Sequence, residues 1–181
     1  IAGQILLNGI DISTLSDGDW RQLRGTEISM IFQNPSAYLN PNRTVENHFK
    51  DLFRAHGESY DASRIIDMLN LVHLDGGDRI LQSYPFQLSG GMQQRLAIAL
   101  SIILKPSIVF ADEPTSALDI LVQASVLDLL REVTQALGAT VVIVTHNIKA
   151  AARIANSIGV MNKGQLVEVG PTEDVINHPT D

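Results

Sequence analysis

Two apolar runs in this chain each stop at residues able to do chemistry. "SIVFAD" (107–112) ends in Asp112 and is followed by Glu113, and "TVVIVT" (140–145) is followed by His146. Two adjacent carboxylates after a buried strand suit a Mg²⁺-nucleotide site. One orders the metal's hydration shell and the other takes a proton from water. Gln33 closes a third apolar run, "EISMIFQNP" (27–35), which stops at Asn34-Pro35. In an open parallel sheet, ligands bind beyond the carboxyl ends of the strands, so all four residues fall on one edge. Taken singly, the acidic pair also fits a helix cap with a solvated loop. His146 alone fits an ordinary strand end, and Gln33 alone carries no signal.

A second candidate lies at "QLSGGMQQRLAIAL" (87–100), where Ser89, Gly90 and Gly91 open an apolar helix. A helix start offers unpaired backbone N–H groups and partial positive charge. Without a Cβ in the way, a phosphate could approach the two glycines. The plainer alternative is a serine cap after a turn.

The elements that must carry these residues follow from periodicity. "GQILLNGIDI" (3–12) alternates around Asn8-Gly9 and predicts a hairpin. Residues 44–83 predict helix, with Ile65, Leu69 and Val72 in line behind Asp61 as a cap. In the helix after Gly91, Met92, Leu96, Leu100 and Ile103 fall on one face, and Pro106 ends it. Residues 107–112 and 140–145 predict strands buried on both faces. Between them a helix over about 120–137 aligns Val126, Leu130, Val133 and Leu137 and stops at Gly138. A helix at about 148–155, a strand pair around "IGVMNKGQLVEVG" and a polar tail complete the chain. Strand–helix–strand order with buried strands means a parallel α/β sheet.

Composition narrows the class. The chain has 181 residues, 45% apolar and 18% charged, which suits one globular domain with a real core. A net charge of −7 argues against a nucleic-acid partner. With no cysteine there is no disulfide frame and no thiolate metal site. The longest apolar run, Leu96–Leu104 broken by Ser101, falls far short of the roughly 20 residues that span a bilayer. The chain opens on "IAGQILLNG" with no initiator methionine, and so reads as a fragment.

"FQNP" (32–35), "LSGGMQQR" (88–95), "IVFADEPTSALD" (108–119) and "VTHN" (144–147) stand in the order and spacing of the ATP-binding-cassette (ABC) transporter ATPases, and the resemblance covers essentially the whole chain. "LRGTEISMIFQNPSAYLNP" (23–41) and "YPFQLSGGMQQR" resemble the peptide, dipeptide and nickel import branch. The resemblance implies an α/β P-loop NTPase-type sheet core, truncated at its N-terminus, with a small antiparallel β part. Residues 1–33 and 105–181 would form the core and β part, and 34–104 an inserted helical subdomain that carries the signature helix. It implies ATP and Mg²⁺ as ligands. Asp112 and Gln33 would attend the metal, Glu113 would be the general base, and His146 would sense the γ-phosphate. Ser89, Gly90, Gly91 and Gln93, with Asp119 of a loop from Ser116, would meet the nucleotide held by an opposite subunit. The implied partners are membrane permease subunits, a second ATPase subunit and, indirectly, a solute-binding protein. The implied place is the cytoplasmic face of a bacterial or archaeal membrane.

The sequence departs from the family pattern in places. The phosphate loop G-x-x-x-x-G-K-[ST] and the adenine-stacking aromatic are absent from the 181 residues. In the family both precede the first strand seen here, so the resemblance implies a fragment that binds ATP poorly alone. Asn147 stands where Asp is usual, Phe86 where His is common and Gln93 where Arg is common. Two other readings stay open: a non-transport cassette ATPase, and a cassette lacking the phosphate loop that serves only for docking or regulation.

Overall fold

The computed structural model describes residues 3–116 and 118–179, without the side chains of Ile120 and Leu121. Ala117, in the loop before Asp119, and the last two residues of the tail lie outside the described residues.

The first strands, β1 (Leu6–Leu7) and β2 (Ile10–Asp11), pair antiparallel. Asn8 and Gly9 turn between them with φ of 49° and 83°, the left-handed pair that a tight two-residue hairpin demands. Next come α1 (Asp17–Leu23), capped by Ser16, and β3 (Ile28–Ile31). The stretch expected to be helical divides into α3 (Val45–Ala55), α4 (Ala62–Leu71) and α5 (Asp78–Gln82), preceded by the single turn α2 (Pro35–Tyr38). Asp61 caps α4 as expected, its carboxylate accepting from Arg64 N at 3.1 Å. Glycines at positive φ, Gly57 and the pair Gly76-Gly77, break the helical run.

Then follow α6 (Gly90–Ile102), β4 (Ile108–Asp112), α7 (Ile120–Leu137) and β5 (Thr140–Val144). The strands form one parallel sheet in the order β3–β4–β5, with Ile31 beside Ala111 and Asp112 beside Val144. Gly138 ends α7 in the left-handed conformation at φ 67°. The core is continuous: Ile31, Val109 and Ala111 from the sheet meet Leu96, Ile98 and Ile102 of α6, Val126 and Leu130 of α7, and Phe49 and Leu69 of α3 and α4.

Two expectations are extended or corrected here. Met92, Leu96, Leu100 and Ile103 pack on the core, yet burial is not confined to that face of α6, because Gln94, Ala97, Ile98, Ala99 and Ile102 are buried as well. It is a central helix rather than an amphipathic surface one. Nor is the sheet covered on both faces. Val109 and Ala111 are buried, but Phe110 is 38% exposed, Val142 42% and Val144 58%. Met30, Phe110 and Val142 form a continuous cross-strand row on that open face.

The chain continues through α8 (Ile148–Ile154), capped by Asn147, to the antiparallel pair β6 (Ser157–Asn162) and β7 (Gln165–Pro171). The expected polar tail contains a short helix, α9 (Thr172–Asn177), anchored by buried Val175.

Candidate functional site

The parallel register brings the ends of β3, β4 and β5 to one edge. Glu113 leaves β4 and reaches the first residues after β5. Its Oε1 accepts from His146 N at 3.0 Å and from His146 Nδ1–H at 2.6 Å. Two donors on one oxygen fix the histidine tautomer and leave Oε2 of Glu113 and Nε2 of His146 for other work. Glu113 N donates to Val144 O, and the residue sits at φ 45°, a conformation that L side chains seldom adopt. The strain is held from both sides: Ser116 donates to Glu113 O through N and Oγ, each at 3.2 Å. The imidazole is exposed while the carboxylate is largely covered.

Asp112 closes β4 half-buried, and its carboxylate forms no hydrogen bond or ion pair among the described residues. Gln33 lies two residues beyond β3 and is exposed. No group of three or more His, Asp or Glu side chains among the described residues could hold a metal ion. Mg²⁺ does not require one. It usually keeps its waters and takes one or two carboxylates together with substrate phosphates. An open Asp112, with Gln33 beyond the end of the neighbouring strand, fits that donor set.

A second group forms where α6 meets α7. Ser89 caps α6, its Oγ accepting from Met92 N at 3.3 Å, and Asp119 caps α7, its Oδ1 accepting from Val122 N at 3.0 Å. The plain serine cap is therefore real. A Cβ at Gly91 would stand 2.9 Å from Val122 Cγ1, and one at Gly90 would stand 3.6 Å from Leu118 Cδ2. The missing side chain of Gly91 makes room for α7. Gln93 donates its Nε2 to Pro85 O and Leu88 O, so its amide is directed at its own loop. No hydrogen bond or ion pair among the described residues joins Ser89, Gly90, Gly91 or Asp119 to Gln33, Asp112, Glu113 or His146.

Both the sequence and the fold have counterparts among known proteins. A family model described as "ABC transporter" matches residues 1–116. The chain belongs to the ABC transporter family. It is 40% identical over 181 residues to the dipeptide transport ATP-binding protein DppD of Bacillus subtilis, covering 98% of this chain and 54% of that protein. It is 38% identical over 180 residues to the probable D,D-dipeptide transport ATP-binding protein DdpD of Escherichia coli, covering 98% and 55%. With the oligopeptide transport ATP-binding protein OppD of Lactococcus lactis it shares 37% over 182 residues, covering 99% and 54%. The chain thus spans about half the length of these ABC relatives. Among solved structures, the ATP-binding cassette MJ0796, a dimer in a post-hydrolysis state bound to ADP and Pi, superposes with a TM-score of 0.79 at 30% identity. That match covers 94% of this chain and 74% of the other. The expected α/β cassette fold, with its parallel sheet and separate antiparallel pair, is the fold observed.

The residues that sequence reasoning passed over are Val122 and Gln123. Gln123 donates Nε2 to Thr115 O and Leu118 O, both at 3.0 Å. A signal was available: a glutamine in the fourth helical position, behind a capping residue.

Proposed function

We propose that this chain is the nucleotide-handling part of an ABC importer subunit that hydrolyses ATP and so powers uptake of peptides, nickel or a related small solute through a membrane permease. The pairing of Glu113 with His146 across the ends of neighbouring strands carries the reading. Glu113 is the general base: Oε1 is held by His146, and Oε2 is left to take a proton from water. His146 turns Nε2 outward, toward the position of the terminal phosphate. Mg²⁺, when bound, would offset phosphate charge, and Asp112 and Gln33 are the residues that would hold it.

Ser89, Gly90, Gly91 and Asp119 present two helix starts to a nucleotide held by a second subunit, homologous or identical. The lack of any direct bond between these helix starts and the strand-end residues supports such a shared site. Gln93 acts on it through the loop it holds. Residues 34–104 serve as the helical subdomain, and 1–33 with 105–181 as the core and β part. No helix among the described residues is long and apolar enough to cross a membrane. The permease supplies that path, a solute-binding protein selects the cargo, and the subunit sits on the cytoplasmic face. The acidic net charge of −7 speaks against nucleic acid as a partner.

The test is Glu113→Gln in the full-length protein. ATP binding should persist while phosphate release falls roughly 10²–10⁴-fold, the usual worth of a general base. Hydrolysis at the wild-type rate would overturn the reading.

A further inference from the structure

The turns before α6 and α7 are built alike. The sequences "PFQLSGGMQ" (85–93) and "TSALDILVQ" (115–123) share a leucine just before the cap and a glutamine four residues after it. The bonds that close the two turns and cap the two helices correspond one to one. Leu88 N donates to Pro85 O at 3.0 Å, and Leu118 N to Thr115 O at 3.1 Å. The caps have nearly equal dihedrals, φ −63° and ψ 162° for Ser89 against φ −68° and ψ 158° for Asp119. Met92 N and Val122 N donate to the cap side chains, and Gln93 N and Gln123 N to the cap carbonyls. Each glutamine then returns its amide across the turn. Gln93 Nε2 reaches Pro85 O at 2.9 Å and Leu88 O at 3.2 Å, and Gln123 Nε2 reaches Thr115 O and Leu118 O at 3.0 Å each.

A nitrogen with two hydrogens can serve both carbonyls at once, and the glutamine amide supplies it at this reach without a charge. Asparagine would be too short. A glutamate would turn a charge on two carbonyl oxygens. The two turns also abut, through Gly90 against Leu118 and Gly91 against Val122, so neither can shift without the other.

We propose that Gln93 and Gln123 are matched positioning residues that lock the turns before α6 and α7 into one rigid plate, which sets the angle at which both helix starts meet the shared nucleotide. The inference rests on the ATPase reading above. Its mechanism is economical: a side chain inside the first helical turn fixes the loop ahead of it, leaving the N–H groups at the helix start unspent.

The experiment uses the full-length protein with Gln93→Met, Gln123→Met and the double variant. Methionine keeps length and apolar bulk and removes the donors. Amide exchange at Leu88 and Leu118 in the nucleotide-free protein reads the lock itself and should speed up in the matching variant. Steady-state kinetics should show kcat lower by about 5- to 10-fold per variant, the worth of one net hydrogen bond, with KM for ATP unchanged. The double variant should lose less than the product of the singles, because the plate moves as a unit.

Faster exchange with unchanged kcat would overturn the positioning role, and unchanged exchange would overturn the lock. A parallel fall in melting temperature, kcat and ATP affinity would mark the glutamines as structural only and overturn the proposal. Glu113→Gln run alongside separates the two claims. If that variant still turns over, the ATPase reading has failed. If it is inactive while the methionine variants match wild type, only the plate has failed.

Discussion

At the ends of β4 and β5, one carboxylate oxygen of Glu113 takes both bonds that join it to His146, and the backbone beneath it is held at φ 45°. At the starts of α6 and α7, caps, loop carbonyls and glutamine amides repeat the same bonds twice over, on backbone with no positive φ at either cap. The first region concentrates its chemistry on a strained and minimally tethered pair. The second spends redundant hydrogen bonds on shape. A group that must gain and lose protons has to be free to exchange partners, whereas a surface that must fit a partner has to stay put. On the proposed reading, the difference in construction is that between reacting parts and positioning parts.

The largest effect should come from filling the seam between the two helix starts. Gly91→Val puts carbon atoms where Val122 already stands, and Val122 is stiff at χ1, so unfolding free energy should fall by about 1–3 kcal/mol. Gly90→Ala meets only an ordinary contact at 3.6 Å and should be neutral or slightly stabilising. Thermal melts of both, with Val122→Ala added to Gly91→Val as a rescue, check this. Equal sensitivity at the two glycines would show that the seam is not what selects Gly91.

Next in size, Ser89→Ala and Asp119→Ala should each cost about 1 kcal/mol through the lost cap. A denaturant series in which one costs nothing would break the equivalence of the two turns.

At the strand ends the expectation inverts. Glu113→Gly loses both contacts to His146 but relieves the left-handed backbone, so stability should change by less than about 1 kcal/mol while hydrolysis is lost. A loss well above that would mean the turn is not strained.

The smallest effect concerns the tie between α7 and α8. Arg153 bonds Asp128 through Nε at 2.7 Å and Nη2 at 2.5 Å, and these hydrogen bonds hold the Asp128 carboxyl below its usual value of 3.8. A lowered folded-state pKa gives stability that is present above the unfolded value. It is lost as pH falls through the folded one. Acid melts of wild type and Asp128→Asn should therefore differ slightly near neutral pH and converge below pH 3.8, and the difference should shrink with added salt.

Much of the fold was legible because its punctuation is local. Asn8-Gly9, Asp61 and Gly138 each announce a turn, a cap and a stop by conformational preference, and each does so in the structure. Element order gave the parallel sheet. Burial was less legible, since a continuous apolar run does not say which face a neighbour covers, and Phe110 and Val144 proved exposed. In the site, Glu113 and His146 stand together as strand-end logic requires. The packing of Gly91 against Val122 was not legible, because sequence shows that a Cβ is missing but not which way it would have pointed. Gln123, and the loop-holding bonds of Gln93, escaped notice because those bonds run to backbone carbonyls, which leave no mark in composition.

The open face of the sheet has a consequence for how the chain behaves in bulk. Met30, Phe32, Phe110, Val142 and Val144 present a contiguous oily strip to water. Against association through that strip stands the mutual repulsion of copies that each carry −7 at pH 7. That net charge vanishes near the isoelectric point of about 5.1, so self-association of the isolated chain should be strongest there, and light scattering across that pH range would show it.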